Sequence, residues 1–174
     1  MTDETPPLDR AALLGALSAH AVRFVLVGGL AAQAHGATRV TKDADICPDW
    51  SVENLSRLAT ALSVLDARLK IGEGSIETLA LQIDARTIRG LEIGAWRTVA
   101  GDVDILLGIP GTSLSELARF EQLAANATEI RIDKLVVLVA SLDDIIRSKE
   151  AADRPKDREA LRELRALRDT GRGL

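Results

Sequence analysis

Two carboxylates one residue apart, Asp43 and Asp45 in Lys42-Asp43-Ala44-Asp45-Ile46, have the spacing in this chain most suited to chemistry. On a strand, both side chains leave from the same side. Carboxylates held that close repel unless a cation lies between them. Mg²⁺ takes hard oxygen ligands, commonly one or two carboxylates with a substrate's phosphates completing its octahedron. Asp104, in Asp102-Val103-Asp104-Ile105, has apolar flanks that predict a buried strand, where an unpaired aspartate is costly. It is the third candidate metal ligand. Asp102, beside Gly101, reads as turn chemistry. Upstream, the apolar run Phe24-Val25-Leu26-Val27 stops at Gly28-Gly29 before a small-residue helical segment, so Gly28 and Gly29 can present backbone N–H groups to a phosphate. An Asp-X-Asp pair alone is common in plain loops and a glycine pair alone is a common turn. The specificity lies in their combination with Asp104.

The elements that must position these groups follow from periodicity and caps. Residues 8–20 carry Leu13, Leu14 and Leu17 at helical spacing behind Asp9. A buried strand over 24–27, a glycine turn, a short helix over 30–35 and a strand over 43–47 closed by Pro48 come next. Ser51 caps a helix whose face is Leu55, Leu58, Leu62 and Leu65. Residues 67–97, broken by Gly72, Gly74, Gly90 and Gly94, are hard to read, with a helix expected over 76–85. A strand over 103–107 ends at Ile109-Pro110-Gly111, and Ser113 with Glu116 in capping-box spacing predicts a helix over 113–123. Residues 129–140 read as a hairpin or edge strand turning at Asp133-Lys134, then Ser141 opens a helix to about residue 152 and Pro155 divides it from a charged helix over 156–168. The fold class is therefore α+β, a small mixed sheet flanked by helices. The 174 residues are read as a single domain with a C-terminal helical segment over about 141–170.

Composition removes several function classes. Hydrophobic residues make up 47% and charged residues 28%, which suits a folded globular chain. Two Phe, two Trp and no Tyr leave little for stacking single-stranded bases, and a net charge of −4 argues against broad nucleic-acid binding, though a local basic patch is compatible with it. Cys47 is the sole cysteine, so an internal disulfide and a cysteine zinc cluster are excluded. The acidic, proline-bearing start is unlike an export signal, and no apolar run approaches the roughly 20 residues of a membrane span. A cytoplasmic location is the expectation.

Taken together, Val27-Gly28-Gly29-Leu30-Ala31, His35-Gly36, Arg39-Val40-Thr41-Lys42-Asp43-Ala44-Asp45, Val103-Asp104-Ile105-Leu106 and the tail Ser148-Lys149-Glu150-Ala151-Ala152-Asp153-Arg154-Pro155-Lys156-Asp157 resemble the nucleotidyltransferases of the DNA polymerase beta superfamily, and among them the AbiEii-type toxin branch. The resemblance spans most of the chain. It implies a minimal polymerase-beta-like fold, two Mg²⁺ ions held by Asp43, Asp45 and Asp104, and an NTP whose triphosphate lies along Gly28 and Gly29. It further implies that Lys149 and Asp157 reach the nucleotide, with Arg154 and Lys156 as auxiliary cations. One departure stands out: many members carry Ser after the glycine pair, where this chain has Leu30.

The remaining residues carry two readings each. Arg39 and Lys42 flank the carboxylate strand and can pair with triphosphate oxygens or neutralise the aspartates. His35 and Cys47 read as packing residues, Trp50 and Trp96 as core or rim, and the charges of 158–168 as a solvated helix face. The function expected is transfer of an NMP from an NTP to an acceptor hydroxyl. The resemblance implies an RNA end, tRNA especially, as acceptor and a partner antitoxin. An aminoglycoside-like small molecule is the enzymatic alternative, favoured by an acidic cleft beside Asp104. A non-catalytic nucleotide- or protein-binding relative is the other alternative, and three retained, mutually repelling aspartates argue against it.

Overall fold

The computed structural model describes residues 5–72 and 77–171. Helix α1 (Arg10–Ala19) begins where the Asp9 carboxylate accepts from the Ala12 N–H, and it buries Leu13, Leu14 and Leu17. Strand β1 (Phe24–Val27) runs directly into α2 (Gly28–Ala34), which therefore starts two residues earlier than expected. Strand β2 (Asp43–Pro48) and helix α3 (Val52–Val64), capped by the Ser51 hydroxyl on the Asn54 N–H, follow the sequence reading.

The stretch the sequence left obscure holds strands. Among the described residues there, β3 (Arg68–Lys70), β4 (Thr78–Leu79) and β5 (Ile93–Thr98) flank one helix, α4 (Ala85–Leu91), and the strand expected over 103–107 follows as β6 (Gly101–Leu106). The helix expected over 76–85 is absent from residues 77–84, and Ile76 lies outside the described residues. The reason is local: Asp84 accepts from the Thr87 N–H at 2.8 Å, so it starts a helix at the point where the expectation ended one.

Two further expectations are corrected around residue 110. Ile109-Pro110-Gly111 does not end a strand but lies within β7 (Gly108–Ser113), which pairs with β8 (Glu116–Arg119), and helix α5 starts only at Phe120 and runs to Asn126. Ser113 and Glu116, the pair that reads as a capping box, are instead cross-strand partners in this hairpin, and the Thr112 hydroxyl bonds the Glu116 side chain beside them. A side chain at Gly108 would meet the Ala118 carbonyl oxygen at 2.7 Å, which is why glycine sits where the two strands approach. Strands β9 (Thr128–Ile132) and β10 (Leu135–Val139) form the expected hairpin. Helices α6 (Leu142–Ala152), capped by Ser141, and α7 (Pro155–Gly171) close the chain, with Asp153 in the left-handed region between them.

Among the described residues, eight strands make one mixed sheet in the order β4-β3-β5-β6-β2-β1-β10-β9. β2 with β6 and β1 with β10 run parallel, and the other pairs are antiparallel. The core is aliphatic, built on Leu26, Ile46, Leu55, Leu58, Leu62, Ile105 and Leu123 with Trp96 wholly buried, and Cys47 belongs to it. No helix of the described residues is long and apolar enough to cross a membrane.

Asp102 is not a turn residue: the turn is Val99-Ala100, and Asp102 lies in β6 with its side chain 8% exposed. Lys70 Nζ donates to it at 2.7 Å and Arg97 Nε at 3.2 Å. Removing a buried carboxylate strands its cations, at a cost of about 3 kcal/mol. Asp102→Asn is therefore expected to lower the thermal midpoint by roughly 6–12 °C, read by circular dichroism, at about 2–4 °C per kcal/mol for a chain of this size.

Candidate active site

The carboxylates meet because β2 and β6 pair parallel with Asp43 beside Asp102 and Asp45 beside Asp104. Directly paired residues share a face of the sheet, and residues two apart on one strand do so as well, so Asp43, Asp45, Asp102 and Asp104 all project from one side. β1 lies on the other flank of β2, with Val27 paired to Asp45, and the chain turns there into α2. Gly28 has φ +66°, and a Cβ on it would stand 2.1 Å from Asp45 Oδ2. Only glycine lets the backbone pass this close to the carboxylate in that conformation. A Cβ on Gly29 would stand 3.0 Å from Thr41, whose hydroxyl lies 3.0 Å from the Asp43 carbonyl and 3.1 Å from Asp43 Oδ1.

Over this face opens a cleft of about 770 Å³. Gly28, Gly29, Asp43, Asp45 and Asp104 form its floor, α6, α7 and the link between them supply Lys149, Arg154, Lys156 and Asp157, and Arg39 lines the rim. The wall opposite is apolar, made by Ile93, Leu106, Pro110, Leu114 and Leu117 of β5, β6 and the β7–β8 hairpin. Lys42 is exposed just before β2 and is not part of the lining. Leu30 is 2% exposed and packs into the core, so its side chain points away from the cleft and the position offers it backbone only.

Burial, followed by the charges of Asp104 and Asp43, pushes the Asp45 carboxyl up to about 7, against the pull of Lys149 and Lys156. Burial and the Asp43 charge push Asp104 up to about 6, with Lys70 opposing. Three crowded carboxylates of this kind suit a shared cation. Among the described residues, no group of three or more His, Cys, Asp and Glu side chains is already gathered around a cation position. Sharing an ion therefore requires the aspartates to turn toward one another.

Asp157 is fully buried and is gripped by Arg154, with Nε at 2.6 Å, Nη2 at 3.2 Å and the backbone N–H at 3.2 Å, while Lys149 Nζ stands 3.5 Å away. Burial raises its carboxyl, but Arg154 and Lys149 together outweigh that and hold it below the usual carboxylate range. What Asp157 does for the cleft passes through the two cations it orients. The strap between α2 and β2 is tied to α7: the Thr38 N–H and hydroxyl both donate to Glu163 at 2.8 Å, and Arg39 Nη1 donates to the Lys156 carbonyl at 3.3 Å. His35 Nε2 donates to the Ala140 carbonyl at 2.7 Å, a packing role. Thr41 entered the sequence reading only inside the quoted motif, and Glu163, the apolar wall and the Lys70–Asp102–Arg97 cluster were not singled out, because each of these last three depends on pairing between distant segments.

No protein-family model matches the chain, and no curated protein matches it in sequence. Its structure does match solved ones. The solution structure of the antibiotic-resistance factor ANT(2'')-Ia aligns over 93% of this chain and 88% of its own, at 16% identity and a TM-score of 0.55. The crystal structure of ANT(2'')-Ia in complex with adenylyl-2''-tobramycin aligns over 93% and 94%, at 19% identity and a TM-score of 0.55. A Thermotoga maritima protein described as a nucleotidyltransferase aligns over 87% and 86%, at 18% identity and a TM-score of 0.54. The chain has the fold of the nucleotidyltransferases.

The raised Asp45 carboxyl fixes a sign. The fold favours its protonated form, so without cations its contribution to stability is retained below about pH 4 and declines as pH rises toward 7. In a chelating buffer, Asp45→Asn is expected to flatten this decline and raise the thermal midpoint at pH 8 by several degrees while changing little at pH 4.

Proposed function

We propose that this chain is a Mg²⁺-dependent nucleotidyltransferase of the polymerase beta superfamily, moving an NMP from an NTP to an acceptor hydroxyl. The observation that carries the reading is the trio Asp43, Asp45 and Asp104 brought to one face by the register of two adjacent parallel strands, at the floor of a cleft whose C-terminal side carries Lys149, Arg154 and Lys156. Asp43 and Asp45 would hold two Mg²⁺ ions, and Asp104 would share the one nearer the acceptor. Bound there, the metal supplies charge stabilisation for the reacting α-phosphate and the departing pyrophosphate. Gly28 and Gly29 offer N–H groups to the triphosphate, and Lys149, oriented by Asp157, pairs with its oxygens alongside Arg154, Lys156 and Arg39. The acceptor oxygen attacks the α-phosphorus, and a new P–O bond forms. The α–β bridging bond breaks, its electron pair leaves with pyrophosphate, and the hydroxyl proton passes to the Asp104 carboxylate.

The finer reading is the AbiEii-type branch, a toxin-like enzyme that modifies an RNA end such as a tRNA 3′ end and is restrained by an antitoxin. The tail Arg154-Pro155-Lys156-Asp157, folded against the cleft, supports it. A second reading, transfer to an aminoglycoside, is favoured by the shared fold with ANT(2'')-Ia.

Both are tested by incubating the protein with each labelled NTP and Mg²⁺, with either total tRNA or tobramycin present. Label is expected on RNA. Asp43→Ala is expected to abolish transfer by on the order of 10³-fold, the loss of several kcal/mol of charge stabilisation. Transfer that survives the substitution contradicts the metal assignment, and label on tobramycin alone selects the second reading.

A further inference from the structure

We propose that Arg68 and Lys70 form a second anion site, on the acceptor side of the carboxylates, which takes a phosphate group carried by the acceptor itself. The proposal rests on the nucleotidyltransferase reading and narrows its acceptor.

Two cross-strand rows define the place. One runs from Arg68 on β3 through Arg97 on β5 and Asp102 on β6 to Asp43 on β2. The next holds Ala95, Asp104 and Asp45, and Lys70, two residues from Arg68, shares the same face. The open face of the sheet is thus divided by charge: carboxylates on β2 and β6, cations on β5 and β3. Ala95 is the small residue between, and Lys70 reaches over β5 to place its ammonium 2.7 Å from Asp102 Oδ2, in the charge environment of Asp104. Its side chain remains 19% exposed, and an ammonium has three donors against this one bond.

Arg68 adds the second observation. It stands directly opposite Arg97, and like charges directly opposed across strands are destabilising. Arg97 is committed to Asp102 and to the Thr5 hydroxyl at 2.7 Å, so it acts as scaffold. Arg68 is exposed, gives its Nε to the neutral Thr78 hydroxyl at 2.9 Å, and among the described residues makes no ion pair. An opposed arginine pair beside a reaching lysine gains from a visiting anion, and a guanidinium fork suits phosphate.

The position selects which anion. The donor's triphosphate belongs with Gly28, Gly29 and Lys149 on the other side of β2. β3 lies two strand spacings, about 10 Å, from β6 on the opposite side of the carboxylates. An acceptor whose hydroxyl reaches Asp104 from over β5 lays its neighbouring phosphate on Lys70 and Arg68. A polycationic aminosugar meets repulsion at the same place.

The experiment uses the full-length chain with Mg²⁺ and a fluorescein-labelled RNA trinucleotide bearing a free 3′ hydroxyl, followed by polarisation. Ribose 5-phosphate serves as competitor, and a fluorescent ATP analogue reports the donor site. Arg68→Glu is expected to weaken trinucleotide binding at least about tenfold and reduce the salt slope by about one. Affinity for the ATP analogue should remain. Lys70→Gln, a second variant at a different strand position, should weaken the trinucleotide in the same direction. Displacement by ribose 5-phosphate at concentrations comparable to RNA identifies a free phosphorylated sugar as the source of the phosphate; failure to displace identifies a polynucleotide. Unchanged trinucleotide and ribose phosphate affinities in folded Arg68→Glu, with the ATP analogue still bound, overturn the anion site and leave the nucleotidyltransferase reading standing. Failure of the native protein to bind the ATP analogue overturns that reading instead.

Discussion

The parallel pairing of β2 with β6 is the constraint on which the rest of the structure depends. It places Asp45 beside Asp104 and Asp43 beside Asp102, so a crowd of like charges is set by backbone hydrogen bonds rather than by side-chain choice. Slipping one strand by a single residue would turn its carboxylates into the core and its apolar residues out. Ala44, Ile46, Val103 and Ile105, all buried on the opposite face, forbid that slip. The packing of the hidden face therefore fixes the chemistry of the open one.

The surrounding elements answer the resulting charge. Asp102 is neutralised within the sheet by Lys70 and Arg97, while Lys149 and Lys156 approach from the C-terminal helices and oppose the repulsion at Asp45. Asp157 and Glu163 tie those helices and the α2–β2 strap to each other, so the cationic rim and the carboxylate floor are positioned by one connected set of polar contacts. Gly28 lets the backbone come against Asp45 with no side chain between them. The cleft thus offers N–H donors, carboxylates and ammonium groups together, a combination suited to a metal-bound polyphosphate.

Much of this was legible in the sequence because it is local. Period-two alternation around Asp43 and Asp104, the glycine pair after an apolar run, and the caps at Asp9, Ser51 and Ser141 all depend on residues a few positions apart. The failures share a cause. β3 and β4 are three- and two-residue segments at the sheet edge and β5 is interrupted by Gly94, so their strand character comes from pairing partners, and Asp102 reads as a turn residue until Lys70 and Arg97 arrive from other strands. At Ser113 and Glu116 a capping-box spacing is spent on a hairpin, because residues three apart also face each other across a tight two-residue turn. Leu30 shows the converse: a departure from the resembled motif becomes intelligible once the position is seen to face the core.

The central claim is that Asp43, Asp45 and Asp104 together form a divalent-cation site that a nucleotide completes. Mn²⁺ binding followed by electron paramagnetic resonance, with and without a non-hydrolysable ATP analogue, tests it most directly. The account predicts weak Mn²⁺ binding that tightens when the analogue is added and is lost in Asp45→Asn and Asp104→Asn alike. Mn²⁺ binding that is indifferent to the analogue, or that survives both substitutions, would contradict it.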